Sequence, residues 1–252
     1  MAMLQCARFL RDKRNEKMHI PDGLLDPKVS SGLMGIAAAV LGVCFAKVRL
    51  AYTEMVKSQA FAAVTNTGAT FAAGGRRVLS KLGERKIQEM GMVASLVFAA
   101  QMFNFPIGSG TSGHLIGGVF AAVILGPFAG TLVIAAVLGV QMLLFADGGA
   151  AALGANIINM AVLGSLVGYY CYALLKKFLN ERAAIALAAW FSVVLAAFAC
   201  ALEIGFSGLA SYSQVIPAML KSHALIGVGE ILITLAMVDL FRRFFSRENT
   251  DN

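Results

Sequence analysis

Apolar residues fill long blocks of the chain from residue 29 onward, separated by short polar or glycine-rich breaks. A helix that crosses a bilayer needs about 20 mostly apolar residues. On that measure the blocks predict seven spans, at 29–50, 90–105, 114–126, 127–146, 157–178, 183–204 and 214–241. The third and fourth form a joined pair broken at Gly126-Pro127, and the third is too short to cross alone unless it runs into its flanks. Residues 58–75 are rich in Ala and Thr but interrupted by Asn66, Gly68 and the pair Gly74-Gly75, so they read as a loop or a surface helix. The fold class is an all-α membrane protein, a bundle of about seven transmembrane helices.

Composition agrees. Only 14% of the 252 residues are charged and 58% are hydrophobic, whereas a soluble domain carries about 25% charged residues. Too few polar side chains are present to coat a globule. Residues 1–17 have neither the apolar core nor the small-residue cleavage site of a secretory signal. The net charge of +7 does not point to nucleic acid, because the basic residues cluster between apolar blocks rather than on one face. Of the four cysteines, Cys6, Cys44, Cys171 and Cys200, three sit in apolar runs, and no pair has metal-ligand or redox spacing.

The distribution of Lys and Arg sets an orientation. Lys47, Arg49, Lys57, Arg76, Arg77, Lys81, Arg85 and Lys86 lie between spans one and two, Lys176, Lys177 and Arg182 between spans five and six, and Arg242, Arg243 and Arg247 after span seven. That side is expected to be cytoplasmic, with a loop over about 51–89 and the C-terminus. The opposite side, with Lys28 and Lys221, is expected to face outward together with the N-terminus. One segment breaks the pattern: the tail 1–17 carries Arg8, Arg11, Lys13, Arg14 and Lys17 on the outward side. Residues 1–17 are therefore expected to be a misassigned start or a non-functional tail, and 18–252 a single membrane domain. Within it, Gly126/Gly130 and Gly164/Gly168 have the spacing that lets helices approach closely.

Candidate chemistry centres on three histidines, His19, His114 and His223. His114 opens span three, and His223 lies about 13 Å along span seven at 1.5 Å per residue. All three fall in the outer half. Imidazole is a preferred ligand of nickel, copper, zinc and cobalt-type ions. If the chain starts at Met18, its α-amine, the amide nitrogen of His19 and the His19 Nδ1 can close rings on one metal, and His114 would supply a fourth nitrogen. Nitrogen sites of that geometry suit Ni(II) or Cu(II), not Mg(II) or Ca(II). The plainer reading is that Pro21-Asp22-Gly23 is a turn before a helix. Asn156 and Asn159 are placed to hydrogen-bond within the bundle. Glu203 and Glu230 are carboxylates inside apolar spans, where such groups are costly; each reads either as functional or as a protonated or Lys221-paired helix contact.

The stretches "MHIPDG" (18–23), "GTSGHLIGG" (110–118), "FADGGAAALGANIINMA" (145–161) and "HALIGVGEILIT" (223–234) resemble the CbiM/NikM family, the substrate-binding membrane subunits of energy-coupling-factor importers for cobalt and nickel. The similarity runs from Met18 to about Asp239. It implies a seven-helix fold with the N-terminus outside. It implies metal ligation by Met18, His19 and His114, with Asp22, Asn156, Asn159, His223 and Glu230 as candidates for the surrounding shell. It also implies a membrane coupling subunit and ATP-binding subunits as partners. Some relatives carry extra C-terminal membrane segments, so a separate small accessory subunit is expected beside a chain that stops at Asn252. The tail before Met18 lies outside the resemblance.

The expected function is capture of Co2+ or Ni2+ as transported substrate, without a cofactor and without catalysis. No GxxxxGK[ST] phosphate loop is present, so partner ATPases would supply the energy. Two alternatives remain at this level: a stand-alone proton-coupled transporter acting through Glu203 and Glu230, and an intramembrane metalloenzyme, which would typically show a helix motif such as H-E-x-x-H.

Overall fold

The computed structural model describes residues 19–67, 71–102, 105–108 and 111–248. Met18 and the 1–17 tail lie outside the described residues. Seven helices are described: α1 (Pro27–Thr67), α2 (Phe71–Gln101), α3 (Gly118–Leu125), α4 (Pro127–Phe145), α5 (Leu153–Leu175), α6 (Glu181–Phe206) and α7 (Tyr212–Glu248). They correspond one to one with the seven predicted spans.

Five of them, α1 over Pro27–Met55, α4, α5, α6 and α7 over Tyr212–Phe244, are long and apolar enough to cross a membrane. The protein is a multi-pass membrane protein. The other two, α2 and α3, are not long and apolar enough on their own, as expected for the third span and unexpected for the second. The apolar part of α2 begins only after the charged run ending at Glu89, leaving about a dozen residues, or ~18 Å of helix. Helix α3 has 8 residues, about 12 Å, and ends where Gly126 turns to φ 87° and Pro127 starts α4. A side chain is strained at positive φ and proline has no amide hydrogen to donate, so this dipeptide stops one helix and begins the next.

Two further expectations change. Residues 51–67 and 71–89, expected within a loop or, over 58–75, a surface helix, are helical continuations of α1 and α2; α1 runs past Asn66 to Thr67, and Gly74-Gly75 lies inside α2. The bundle is also not purely helical. Between α2 and α3, Phe105–Gly108 (β1) pairs antiparallel with Thr111–Gly113 (β2), Phe105 opposite Gly113. The pairing satisfies backbone groups that the short Gly- and Ser-rich stretch between two helices would otherwise leave open.

Helix α4 is central, packed against α1, α2, α3 and α5, with Ile134 and Leu138 fully buried. Close approach depends on the predicted glycines. A Cβ on Gly130 would press on Ala122, one on Gly164 on Ile116 and one on Gly168 on Val119. Gly126 is the exception: its surroundings are open, and its positive φ is what requires glycine. Helices α6 and α7 form an antiparallel pair, joined where Trp190 Nε1 donates to the Ala224 carbonyl at 3.0 Å and Gly227 leaves room for that indole. Within α5, Ile157–Val167 winds in wide π turns, a geometry often found beside functional sites. Among the described residues Cys44, Cys171 and Cys200 are free thiols.

Candidate metal centre

The segment before α1 folds back into the bundle. Pro21-Asp22-Gly23-Leu24 makes the expected turn: Leu24 N donates to the Pro21 carbonyl at 3.4 Å, and Gly23 has φ 78°, the value a type II turn demands at its third position. The neighbouring loop is shaped to receive it. Helix α4 ends with Ala146 in the left-handed conformation at φ 52°, and Asp147 N reaches back to the Gln141 carbonyl at 3.1 Å. That reversal carries Asp147-Gly148-Gly149 over the N-terminal segment. Gly149 N donates to the Ile20 carbonyl at 2.9 Å, and a Cβ on Gly149 would overlap Asp22.

Three more contacts clamp the segment. Asn156 holds both sides of Ile20, accepting from its N–H at 3.1 Å and donating to its carbonyl at 3.2 Å. Asp22 Oδ1 accepts from Ala151 N at 2.7 Å. Asp26 N donates to Ser207 Oγ at 3.0 Å, while its own Oδ1 caps α1 by accepting from Lys28 N. Helices α4, α5 and the end of α6 thus fix one short strand of chain.

The result pairs a buried His19 with a half-buried His114. The His19 and His114 rings meet edge to face with centroids 4.8 Å apart. His19 Nε2 lies 2.9 Å from Gln141 Oε1 and 3.8 Å from Asp147 Oδ2. Its Nδ1 is buried and has no hydrogen-bond partner. Burial first, and then the neighbouring His114, push the His19 pKa down to about 4, against the opposing pull of Asp147 and Gln141. The ring is therefore neutral at physiological pH, the state a metal needs. His114 Nδ1 lies 2.9 Å from the Leu115 carbonyl. A carbonyl only accepts, so the proton sits on Nδ1 and the His114 lone pair is at Nε2.

Behind the pair runs a chain of buried polar groups. Gln141 Nε2 donates to Gln101 Oε1 at 2.9 Å, and Gln101 Nε2 donates to the Ile116 carbonyl at 2.8 Å. Glu230 receives the Ile116 and Gly117 amides, each at 2.8 Å. Gln101, Gln141 and Glu230 are at most 1% exposed.

The structure brings together His19, His114, Asp22, Asn156 and, through the 114–117 backbone, Glu230. Asn159 points elsewhere, donating to Glu203 at 2.8 Å. His223 hydrogen-bonds within its own helix, to the Met219 carbonyl at 2.9 Å and Ser222 Oγ at 3.2 Å. Neither carboxylate makes the Lys221 contact weighed from sequence: Glu203 takes Asn159 and Glu230 takes backbone. Sequence reasoning missed Gln101, Gln141 and Asp147. The available signal was an amide within an apolar run, the kind of group that must find a partner when buried. Among the described residues no three His, Cys, Asp or Glu side chains form a metal-sized cluster.

The chain is thus a multi-pass membrane protein whose N-terminal segment sets one imidazole edge to face against another. The chain belongs to the CbiM family, the cobalt uptake substrate-specific transmembrane region, which matches residues 19–247. It is 38% identical over 88% of its length to a putative fused nickel transport protein of Archaeoglobus fulgidus, of which it spans 64%. It is 36% identical to a putative metal transport protein of Haloquadratum walsbyi, covering 86% of each chain. A cobalt transport protein CbiM of Anoxybacillus flavithermus is 30% identical over 71% of this chain and 76% of its own. Two crystal structures of transition metal transporters, one of them truncated, superpose with TM-scores of 0.70 and 0.69 at 30% identity, covering 90% of this chain and 93% and 99% of theirs.

Proposed function

We propose that the chain is the substrate-capture subunit of an ATP-driven importer of the energy-coupling-factor type, binding Co(II) or Ni(II) from the outer face of the cell membrane. The observation that carries the reading is the buried His19 Nδ1, without a partner and beside His114. A metal ion supplies what that atom lacks. The ligand set is the α-amine of Met18, the amide nitrogen and Nδ1 of His19, and Nε2 of His114, four nitrogens that suit these ions. This requires a working chain that begins at Met18, because a peptide nitrogen there has no ready lone pair. Asp22, Asn156 and Glu230 hold the ligands in place. The names of the relatives, nickel and cobalt transport proteins, support the cargo, and the basic residues between helices support a site that faces outward. Energy comes from ATP-binding subunits through a membrane coupling subunit, and this chain has no catalytic step of its own.

The test is a titration of purified protein, its N-terminus verified by intact mass, with Ni(II) and Co(II). Tight binding is expected to vanish when one Gly precedes Met18 in a chain starting there. Equal affinity with that Gly would remove the amine from the ligand set. Metal accumulation by cells with and without the ATP-binding partners separates the importer from a stand-alone proton-coupled transporter, which would accumulate metal in both.

A further inference from the structure

Resting on that reading of His19 as a metal ligand, we infer that Gln101 and Gln141 are positioning residues that fix which nitrogen of His19 faces the metal. The argument is one of hydrogen-bond polarity. The chain ends on the Ile116 carbonyl, which can only accept. Gln101 must therefore present its NH2 group to Ile116, at 2.8 Å, and its oxygen to Gln141. Gln141 must then donate with its own NH2, at 2.9 Å, which turns its oxygen toward His19. Facing an acceptor at 2.9 Å, His19 Nε2 must carry the proton. The lone pair is left on Nδ1, the one ring nitrogen that can close a chelate with the backbone amide of the same residue and the amine before it.

Every link is buried and the direction cannot reverse without opposing two donors or two acceptors. Gln101 and Gln141 are fully buried, so water cannot substitute for either. The peptide that carries the Ile116 carbonyl is itself pinned, its Gly117 N–H held by Glu230 at 2.8 Å. Polarity set by a backbone carbonyl between His114 and α3 is thereby delivered to a side chain far away in sequence. The two histidines accordingly offer opposite nitrogens, Nδ1 from His19 and Nε2 from His114, each fixed by a carbonyl. Outer hydrogen-bond partners of this kind are worth about 10–100-fold in metal affinity.

The test reads the tautomer directly, in metal-free full-length protein labelled with 15N-histidine, at neutral pH. Long-range proton–nitrogen spectra distinguish the two forms, and a His19→Asn sample identifies the His19 signals among three. Wild type is expected to show a single His19 form protonated at Nε2. Gln141→Glu, whose protonated carboxyl can donate to Gln101 Oε1 while keeping an acceptor toward His19, should retain it. Gln141→Leu, and above all Gln101→Leu, which does not touch His19, should give a mixture, with Ni(II) affinity reduced about 10–100-fold. A wild-type ring protonated at Nδ1 would overturn the inference, and so would a pure Nε2–H form in both leucine variants. If the leucine variants do not fold, the wild-type and Gln141→Glu spectra decide alone. A pure Nε2–H form in a protein that binds no Ni(II) leaves the polarity argument intact and removes the metal reading instead.

Discussion

His19 and His114 stand edge to face with ring centroids 4.8 Å apart, although one belongs to the chain's first described residues and the other opens the stretch leading into α3. Nothing local brings them together. The contact exists because Asn156, Gly149 and Ala151 hold the segment around His19 against the end of α4. Removing either ring should end tight metal binding without unfolding the bundle. His19→Ala and His114→Ala are each expected to lose measurable high-affinity Ni(II) and Co(II) binding in calorimetric titration, with wild-type helicity. His223→Ala should lose no more than about tenfold, since its visible bonds stay within α7. Unchanged affinity in His114→Ala would take that residue out of the site.

Acidification should release the N-terminal segment. The His19 pKa falls from 6.5 to about 4 when the segment is docked. Between those values the undocked segment binds more protons than the docked one, so docking is at full strength above pH 6.5 and weakens as pH falls through that window. A shift of this size corresponds to about 3 kcal/mol at its limit. Hydrogen-exchange protection of the Gly149 and Ile20 amides in metal-free protein is expected to fall between pH 6.5 and pH 4. Protection that stays constant over that range would contradict the docked geometry.

Asn156→Ala should weaken metal binding from a distance. The substitution leaves the Ile20 N–H buried without a partner, at a cost of about 1–3 kcal/mol, and removes the bond to the Ile20 carbonyl as well. Gly149→Ala should act through a different route, because its new methyl group overlaps Asp22. Both variants are expected to bind Ni(II) at least tenfold more weakly while keeping wild-type thermal stability in the remaining bundle. Tight binding by both would mean that docking of the segment is not needed for capture.

Glu230→Ala should destabilise the protein as well as the site. It strands two buried backbone amides, those of Ile116 and Gly117, each worth about 1–3 kcal/mol. A lower melting temperature accompanied by weaker metal binding is expected. Wild-type stability would show that the 114–117 backbone finds other partners.

Much of this was readable in the chain. The long apolar blocks, interrupted where charge or Gly-Pro intervenes, predict the seven helices in order, because burial and backbone satisfaction leave a membrane chain few other options. The Pro21-Asp22-Gly23 turn was legible from its residue types, and Asn156 as a group that must find a partner inside the bundle. Gln101 and Gln141 were not readable in the same way. An amide in an apolar run has no period or spacing to betray it, and its meaning lies in a partner from another helix. The extension of α1 to Thr67 was also missed, because isolated Asn and Gly read as breaks when the surrounding Ala-rich sequence still favours a helix. Asn159, three residues from Asn156, hydrogen-bonds within the bundle as its setting suggests, but its partner, Glu203, lies on another helix and could not be named from the sequence.

The burial of His19 also bears on timing. Its side chain is 2% exposed, and a hydrated ion cannot shed its water shell against an atom it cannot reach. If His19 holds the ion as proposed, capture waits for the segment to lift, and the docked arrangement acts as a latch that closes behind the cargo rather than as a landing site. The observed association rate should rise with metal concentration and then level off at the opening rate of the latch. On the same proposal release requires the same motion, so whatever holds that one stretch of backbone sets the dwell time of the ion.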